Sequence, residues 1–310
     1  MRLVFLGSGA FGIPTLRALA EQGHDIVAVV SQPDRPAGRG GKCRATPIRE
    51  TAEHLGLPIL TPEKPNTPEF AEVFRRLEPE LAVVVAYGHL IKKPLLDIPR
   101  HGFVNLHASL LPAYRGAAPV PWAILKGETT SGATVFRLDE RFDTGAIIAQ
   151  AELPIVDDDT SASYLEKLAP IGGDLMAQTV ADIQAGRVRP QIQDNALASL
   201  APKMKKDDGI IDWTRQFAEI ERLVRAFQPW PLAHTRLASA KGDIKINILA
   251  MEPVETANSH ATAGAILAAD PKTGLVIMAG DRPARIVRLQ PEGKRPMADN
   301  EFLRGTKIQL

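Results

Sequence analysis

The sequence predicts a two-part fold, an α/β domain on a mostly parallel sheet followed by a small all-β domain. Three observations carry this. At 310 residues the chain has room for two hydrophobic cores. In its first half, short apolar runs at residues 2–6, 26–30 and 81–87 alternate with segments of helical periodicity, the pattern of strands buried on both faces by crossover helices. In its last hundred residues, β-rich runs at 234–237, 244–250, 264–268, 275–278 and 285–289 follow one another across turn residues, a density that points to a small closed barrel. The boundaries read as 1–186 for the first domain, 187–204 for an irregular linker and 205–310 for the second.

Composition narrows the class. Hydrophobic residues make up 45% of the chain and charged residues 24%, as in an ordinary soluble protein. No stretch offers 18 uninterrupted apolar residues, and the first apolar run is too short for the core of a signal peptide, so a cytoplasmic chain without membrane contact is expected. Cys43 stands alone, which excludes an internal disulfide and leaves a zinc site without companions. Net charge is only +1, yet 17 basic residues face 13 acidic ones after Pro202, against 20 and 23 before it. A mild basic excess is the sign expected of a module that touches phosphates, and it is equally an ordinary surface fluctuation.

In order, the first strand runs into Gly7-Ser8-Gly9-Ala10-Phe11-Gly12 and a helix to about Ala20. This turn fits G-x-G-x-x-G, which in a dinucleotide enzyme seats a pyrophosphate. The acid expected at the end of the second strand is missing, and Asp34 is a poor substitute, so tight packing of the turn is the favoured role. Residues 32–47 follow as a basic, Gly- and Pro-rich loop carrying Arg35, Arg39, Lys42 and Arg44. Helices are expected at 48–57 and 68–77, the second with Phe70, Val73, Phe74 and Leu77 at core spacing. The strand at 81–87 ends in Tyr87-Gly88-His89-Leu90.

Residues 102–122 read G-F-V-N-L-H-A-S-L-L-P-A-Y-R-G-A-A-P-V-P-W. An apolar strand here carries two polar side chains, Asn105 and His107, which project to one face because they are two apart. The prolines and Gly116 then lay a loop across the strand's carboxyl end, where open α/β sheets bind ligands. Further on, strands at 133–138 and 145–153 flank a turn with Asp143 in F-D-T-G. A helix beginning after the acidic run at 157–159 ends near Gly186. Lys203, Lys205 and Lys206 make a basic patch before D-D-G-I-I-D-W, and a helix at 215–227 precedes the β-rich runs.

The motif S-L-L-P-x-Y-R-G-A-A-P, preceded by N-L-H and followed by D-x-G, resembles the signature of the 10-formyltetrahydrofolate-dependent formyltransferases. The resemblance covers essentially the whole chain and is strongest from Gln32 to Gly145. It implies a Rossmann-like catalytic domain and a C-terminal OB-like barrel. It also implies Asn105, His107 and Asp143 as the catalytic trio, and a folate site lined by Ser109, Leu110, Leu111 and Pro112 and, mostly through backbone groups, by the turn at Tyr87 and Gly88. The Q-P-D-R-P-A-G-R-G loop looks like the segment with which some members engage the acceptor arm of initiator methionyl-tRNA. That implies Arg35, Arg39, Lys42 and Arg44 as tRNA contacts. Lys203, Lys205 and Lys206 read equally as a solvated charge run or as a further tRNA contact, and a monomer is the default expectation.

The chemistry fits these residue types. Formyl transfer to an amine passes through a tetrahedral intermediate whose oxygen carries negative charge, and Asn105 supplies a donor for it. The attacking amine must shed a proton, and histidine is the residue type suited to accept it near neutral pH. Asp143 would orient His107 or position a relaying water. The 10-formyltetrahydrofolate is a co-substrate, and neither a metal nor NAD(P) is called for. Three rivals stay open: a formyltransferase for small amines, a nicotinamide oxidoreductase using the glycine turn, and a pure RNA-binding module.

Overall fold

A computed structural model describes residues 1–37, 42–240, 242–255 and 261–309. The chain divides into two compact units, the first comprising Met1–Pro119, Thr130–Pro154 and Leu165–Pro202, the second Val120–Thr129, Ile155–Tyr164 and Lys203–Leu310.

In the first unit, seven strands form one sheet: β1 (Arg2–Gly7), β2 (Asp25–Val30), β3 (Ile59–Leu60), β4 (Leu81–Val85), β5 (Phe103–His107), β6 (Thr130–Arg137) and β7 (Ile147–Pro154). Their order is β7-β6-β5-β4-β1-β2-β3, with β1 to β5 parallel and β6 and β7 antiparallel at one edge. The sheet is covered on both faces, so its central strands are apolar on both. Val4 and Leu6 join Phe70, Phe74 and Phe103 in one core, while Leu3 and Phe5 are fully buried on the other face. Each of these side chains contributes roughly 1.5–3 kcal/mol by leaving water.

Helices α1 (Ile13–Glu21), α2 (Pro47–His54) and α3 (Pro68–Arg76) start as their sequences direct. Thr46 and Thr67 each precede a proline at the first helical position, and their hydroxyls accept from Arg49 N (3.1 Å) and Phe70 N (3.3 Å). Strand order reverses between β1 and β4, which places a switch-point crevice at the carboxyl ends of β1, β4 and β5. The glycine turn after β1 lies there. Ser8 N and Gly9 N donate to Ala86 O (3.2 and 3.3 Å), so two amides that a pyrophosphate would need are already engaged. A Cβ on Gly7 would fall 2.8 Å from Val85 O, the close packing expected of this turn.

The basic loop is paired at its base. Arg35–Ala37 and Lys42–Arg44 pair antiparallel, so backbone hydrogen bonds hold the stem of the loop as a narrow ribbon. Arg39 lies outside the described residues.

In the second unit, helix α6 follows α4 (Pro119–Lys126) and α5 (Ser161–Gln184), two helices shared between the units, and spans Phe217–Ala226. Then come β8 (His234–Leu237), β9 (Ile244–Pro253), β10 (Ile266–Asp270), β11 (Gly274–Met278), β12 (Pro283–Pro291), β13 (Met297–Ala298) and α7 (Asp299–Gly305). All strand pairs are antiparallel in the order β8-β9-β12-β11-β10, with β13 against β12. Ile220, Val224, Ile246, Ile248, Ile277, Ile286, Leu289 and Phe302 fill the concave side. The domain is OB-like, but among the described residues β8 and β10 do not pair with each other. The barrel is therefore open on one side rather than closed, as OB folds partly are.

Candidate active site

Strand β5 delivers Asn105 and His107. It is buried along its length except at Asn105, whose cross-strand neighbours are Val84 and Phe136, while His107 lies opposite Thr134. Two residues of strand separate the pair by about 6.6 Å at Cα on one face. Among the described residues no protein group hydrogen-bonds the Asn105 side chain, so both amide hydrogens remain available to a ligand.

His107 is buried (6% exposed), with Phe136 edge-on to its ring, and its Nε2 lies 2.9 Å from Tyr114 O. A carbonyl only accepts, so Nε2 carries the hydrogen and the neutral ring keeps its lone pair on Nδ1. That nitrogen lies 3.7 Å from Asp143 Oδ2.

Asp143 sits at φ +53°, a left-handed conformation uncommon for a non-glycine residue and costly by about 1–3 kcal/mol. Its Oδ2 also accepts from Gly116 N at 2.8 Å. Gly116 is at φ +119°, and a Cβ there would meet Ala201 O at 2.7 Å. Gly116→Ala is therefore expected to destabilise the protein by about 1–3 kcal/mol, read by urea denaturation, and to lower turnover by moving the amide that holds Asp143. In D-T-G, a Cβ on Gly145 would collide with Arg137 O, which explains the glycine of that triplet.

The loop after β5 is strung on hydrogen bonds. Thr134 Oγ1 donates to Ser109 O (2.6 Å) and accepts from Leu111 N (3.0 Å), while Gln150 Nε2 donates to Leu111 O (2.9 Å). Ser109 is fully buried and its hydroxyl donates to Ala113 O, so it shapes the loop from within. Leu111 is buried, whereas Leu110 and Pro112 are partly exposed. At the end of β4, the Tyr87 ring is 1% exposed in the core, and burial pushes its hydroxyl up to about 12. Its carbonyl accepts from Gln32 Nε2 at 2.8 Å, and Gly88 beside it is exposed at φ +81°. Of the six expected folate residues, Leu110, Pro112 and Gly88 thus present surface, and Tyr87, Ser109 and Leu111 are interior.

The basic residues separate similarly. Arg44, Lys203, Lys205 and Lys206 are exposed, and Arg35 pairs with Glu63 at 2.9 Å. On the second unit, Arg282, Arg285 and Arg295 are held by Asp281, Asp299 and Glu301, so part of the basic excess after Pro202 is paired on the unit itself.

Sequence reasoning missed the layer behind Asp143. Gln193, assigned to the linker, is 6% exposed, and its Nε2 donates to Asp143 O (2.9 Å) and Gly145 O (2.7 Å). Its Oε1 accepts from Arg115 Nε (3.0 Å) and Nη2 (2.8 Å), and Arg115, 8% exposed, also donates to Asn195 Oδ1. Arg115 stands inside the quoted motif, which was its one signal; Gln193 offered none. Among the described residues, no helix is long and apolar enough to cross a membrane.

Residues 1–180 match the sequence family described as Formyl transferase, and residues 203–307 the one described as Formyl transferase, C-terminal domain. The methionyl-tRNA formyltransferase of Citrifermentans bemidjiense is 41% identical over 309 residues, covering 100% of this chain and 95% of its own. Among solved structures, an N-formyltransferase from Helicobacter canadensis, in complex with folinic acid and dTDP-3-aminofucose, is similar with TM-score 0.68 and 18% identity. The match covers 92% of this chain and 98% of that one. HypX from Aquifex aeolicus, in complex with tetrahydrofolic acid, gives TM-score 0.64 at 18% identity over 100% of this chain and 48% of its own, so this chain spans about half of that protein. At such identities the two structures speak to the fold alone.

Proposed function

We propose the function from one premise, that the chain belongs to the formyl transferase family: it transfers the formyl group of 10-formyltetrahydrofolate to the amino group of methionine on initiator tRNA, for translation initiation. The observation that carries the chemistry is His107 Nδ1 standing 3.7 Å from Asp143 Oδ2 while Nε2 is tied to Tyr114 O. The full-length likeness to a protein named for methionyl-tRNA supports the acceptor.

The amine nitrogen attacks the formyl carbon, forming the new C–N bond and placing negative charge on the formyl oxygen. The Asn105 amide donates to that oxygen. His107 Nδ1 takes the proton that the amine sheds, and Asp143 holds the resulting imidazolium. Collapse breaks the bond between the formyl carbon and N10, and the proton passes to N10, so atoms and charge balance. The formyl carbon keeps its oxidation state, and the step requires no nicotinamide.

In this reading, Gly88, Leu110 and Pro112 border the folate while Tyr87, Ser109 and Leu111 shape the wall behind it. Residues 1–186 carry the chemistry, and 205–310, joined through 187–204, bind tRNA. Arg35, Arg39, Lys42 and Arg44 act on the acceptor arm with Lys203, Lys205 and Lys206 as further phosphate contacts. The protein acts as a monomer in the cytoplasm, where its acceptor is found.

The test is transfer of labelled formyl to methionine-charged initiator tRNA, run beside free methionine and an amino-sugar nucleotide. Label on the tRNA alone is expected; label on the sugar nucleotide alone overturns the acceptor. Arg39→Ala should then lower kcat/KM for tRNA by roughly 1–3 kcal/mol, nearly all in KM, with the loss shrinking as salt is raised. An unchanged KM would remove the loop from the tRNA site.

A further inference from the structure

The buried pair behind Asp143 does more than fill space. Gln193 uses its entire hydrogen-bonding capacity on four contacts, two donated to the carbonyls of Asp143 and Gly145 and two accepted from Arg115. The two carbonyls bracket Thr144, so one amide side chain spans the turn that carries Asp143 at φ +53°. Arg115 adds a second hold from the same place. Its neighbour Gly116 donates its backbone N–H to Asp143 Oδ2, and Arg115–Gly116 is itself laddered to Leu200–Ala201. The carboxylate and the backbone of Asp143 are therefore fixed by one short strand, directly through Gly116 and indirectly through Arg115 and Gln193.

Among the described residues no carboxylate lies within ion-pairing distance of Arg115, although it is 8% exposed. A buried guanidinium with only amide oxygens as partners is poorly explained as a stabilising ion pair. It is well explained as the part that orients Gln193: a guanidinium donates only, so it forces Oε1 toward itself and turns the Nε2 hydrogens onto the turn.

We infer that Gln193, oriented by Arg115, is a positioning residue that fixes the Asp143 turn so that the carboxylate faces His107 Nδ1 during formyl transfer. This rests on the reading of His107 and Asp143 as catalytic groups. Gln193 touches no substrate; it acts through Asp143.

Two variants separate positioning from mere support of the fold. Gln193→Ala removes all four contacts. Gln193→Glu keeps the volume and gives Arg115 a carboxylate, but turns acceptor oxygens on the carbonyls of Asp143 and Gly145. Formyl transfer to methionyl-tRNA is measured for wild type and both variants, with kcat and both KM values resolved and thermal melting run alongside. Both variants should lose on the order of 10- to 100-fold in kcat with either KM within about threefold, since a displacement of about 1 Å at a catalytic group costs that much, and Gln193→Glu, which keeps a partner for Arg115, should melt above Gln193→Ala. Wild-type kcat in Gln193→Glu would show that Gln193 only accommodates Arg115, and a loss confined to KM would make it a binding residue; either overturns the inference. Inactivity of the wild type toward methionyl-tRNA would instead overturn the proposed function, so the two failures are distinguishable.

Discussion

His107→Ala is expected to lower kcat for formyl transfer by two to four orders of magnitude while leaving affinity for methionyl-tRNA nearly intact. The argument rests on which nitrogen is free. Tyr114 O accepts from Nε2 at 2.9 Å, so Nδ1 is the atom able to take a proton, and Asp143 Oδ2 stands 3.7 Å from it. Thr134, across the strand, does not replace that function, because it spends its hydroxyl on Ser109 O and receives Leu111 N. The substitution also leaves Tyr114 O without its imidazole partner at a cost of about 1–3 kcal/mol, so folding must be measured separately. Single-turnover transfer of labelled formyl at saturating tRNA, paired with equilibrium tRNA binding, separates the effects. A variant with normal single-turnover rate and weakened tRNA binding would make His107 a recognition residue.

How far the sequence carried this picture depends on whether a feature is local. Asn105 and His107 could be placed on one face because period-two alternation acts within five residues, and the Thr-Pro starts of α2 and α3 follow from capping chemistry within four. The strands of the second unit were legible as runs for the same reason. Whether they close was not, because closure depends on β8 meeting β10 across the sheet, and no local pattern encodes that. Tyr87 illustrates a different limit: its position after β4 was readable, but no local pattern says where its ring goes, and here the ring lies in the core while its backbone stays at the turn. Gln193 lies 50 residues from Asp143, in a stretch with neither helical nor strand periodicity, and only the folded loop shows that its amide meets the turn. The hairpin at Arg35–Ala37 and Lys42–Arg44 was hidden by its own glycines and prolines, which mark a turn without saying that its stems pair.

Asn105→Ala should cost about 10²–10³ in kcat, the penalty for removing one donor aimed at a developing oxyanion. Burial along β5 singles this residue out. Its four strand companions are buried, and Asn105 alone is partly exposed, between Val84 and Phe136, with no hydrogen-bond partner for its side chain among the described residues. A structural asparagine in a central strand would be expected to spend its amide on a neighbour, since burying it unpaired costs about 1–3 kcal/mol. Keeping it open toward the carboxyl end of the sheet makes sense if a ligand oxygen completes it. Because the amide makes no hydrogen bond to lose among the described residues, the alanine variant should fold with stability close to wild type, unlike Gly116→Ala. Asn105→Asp sharpens the comparison: it keeps the shape but presents an ionised acceptor, which repels an oxyanion, and its rate should fall to or below that of alanine. Activity near wild type in Asn105→Asp, measured as kcat at saturating folate and tRNA, would mean that Asn105 donates nothing in the transition state, and the oxyanion would then have to be sought among the backbone amides of the loop after β5.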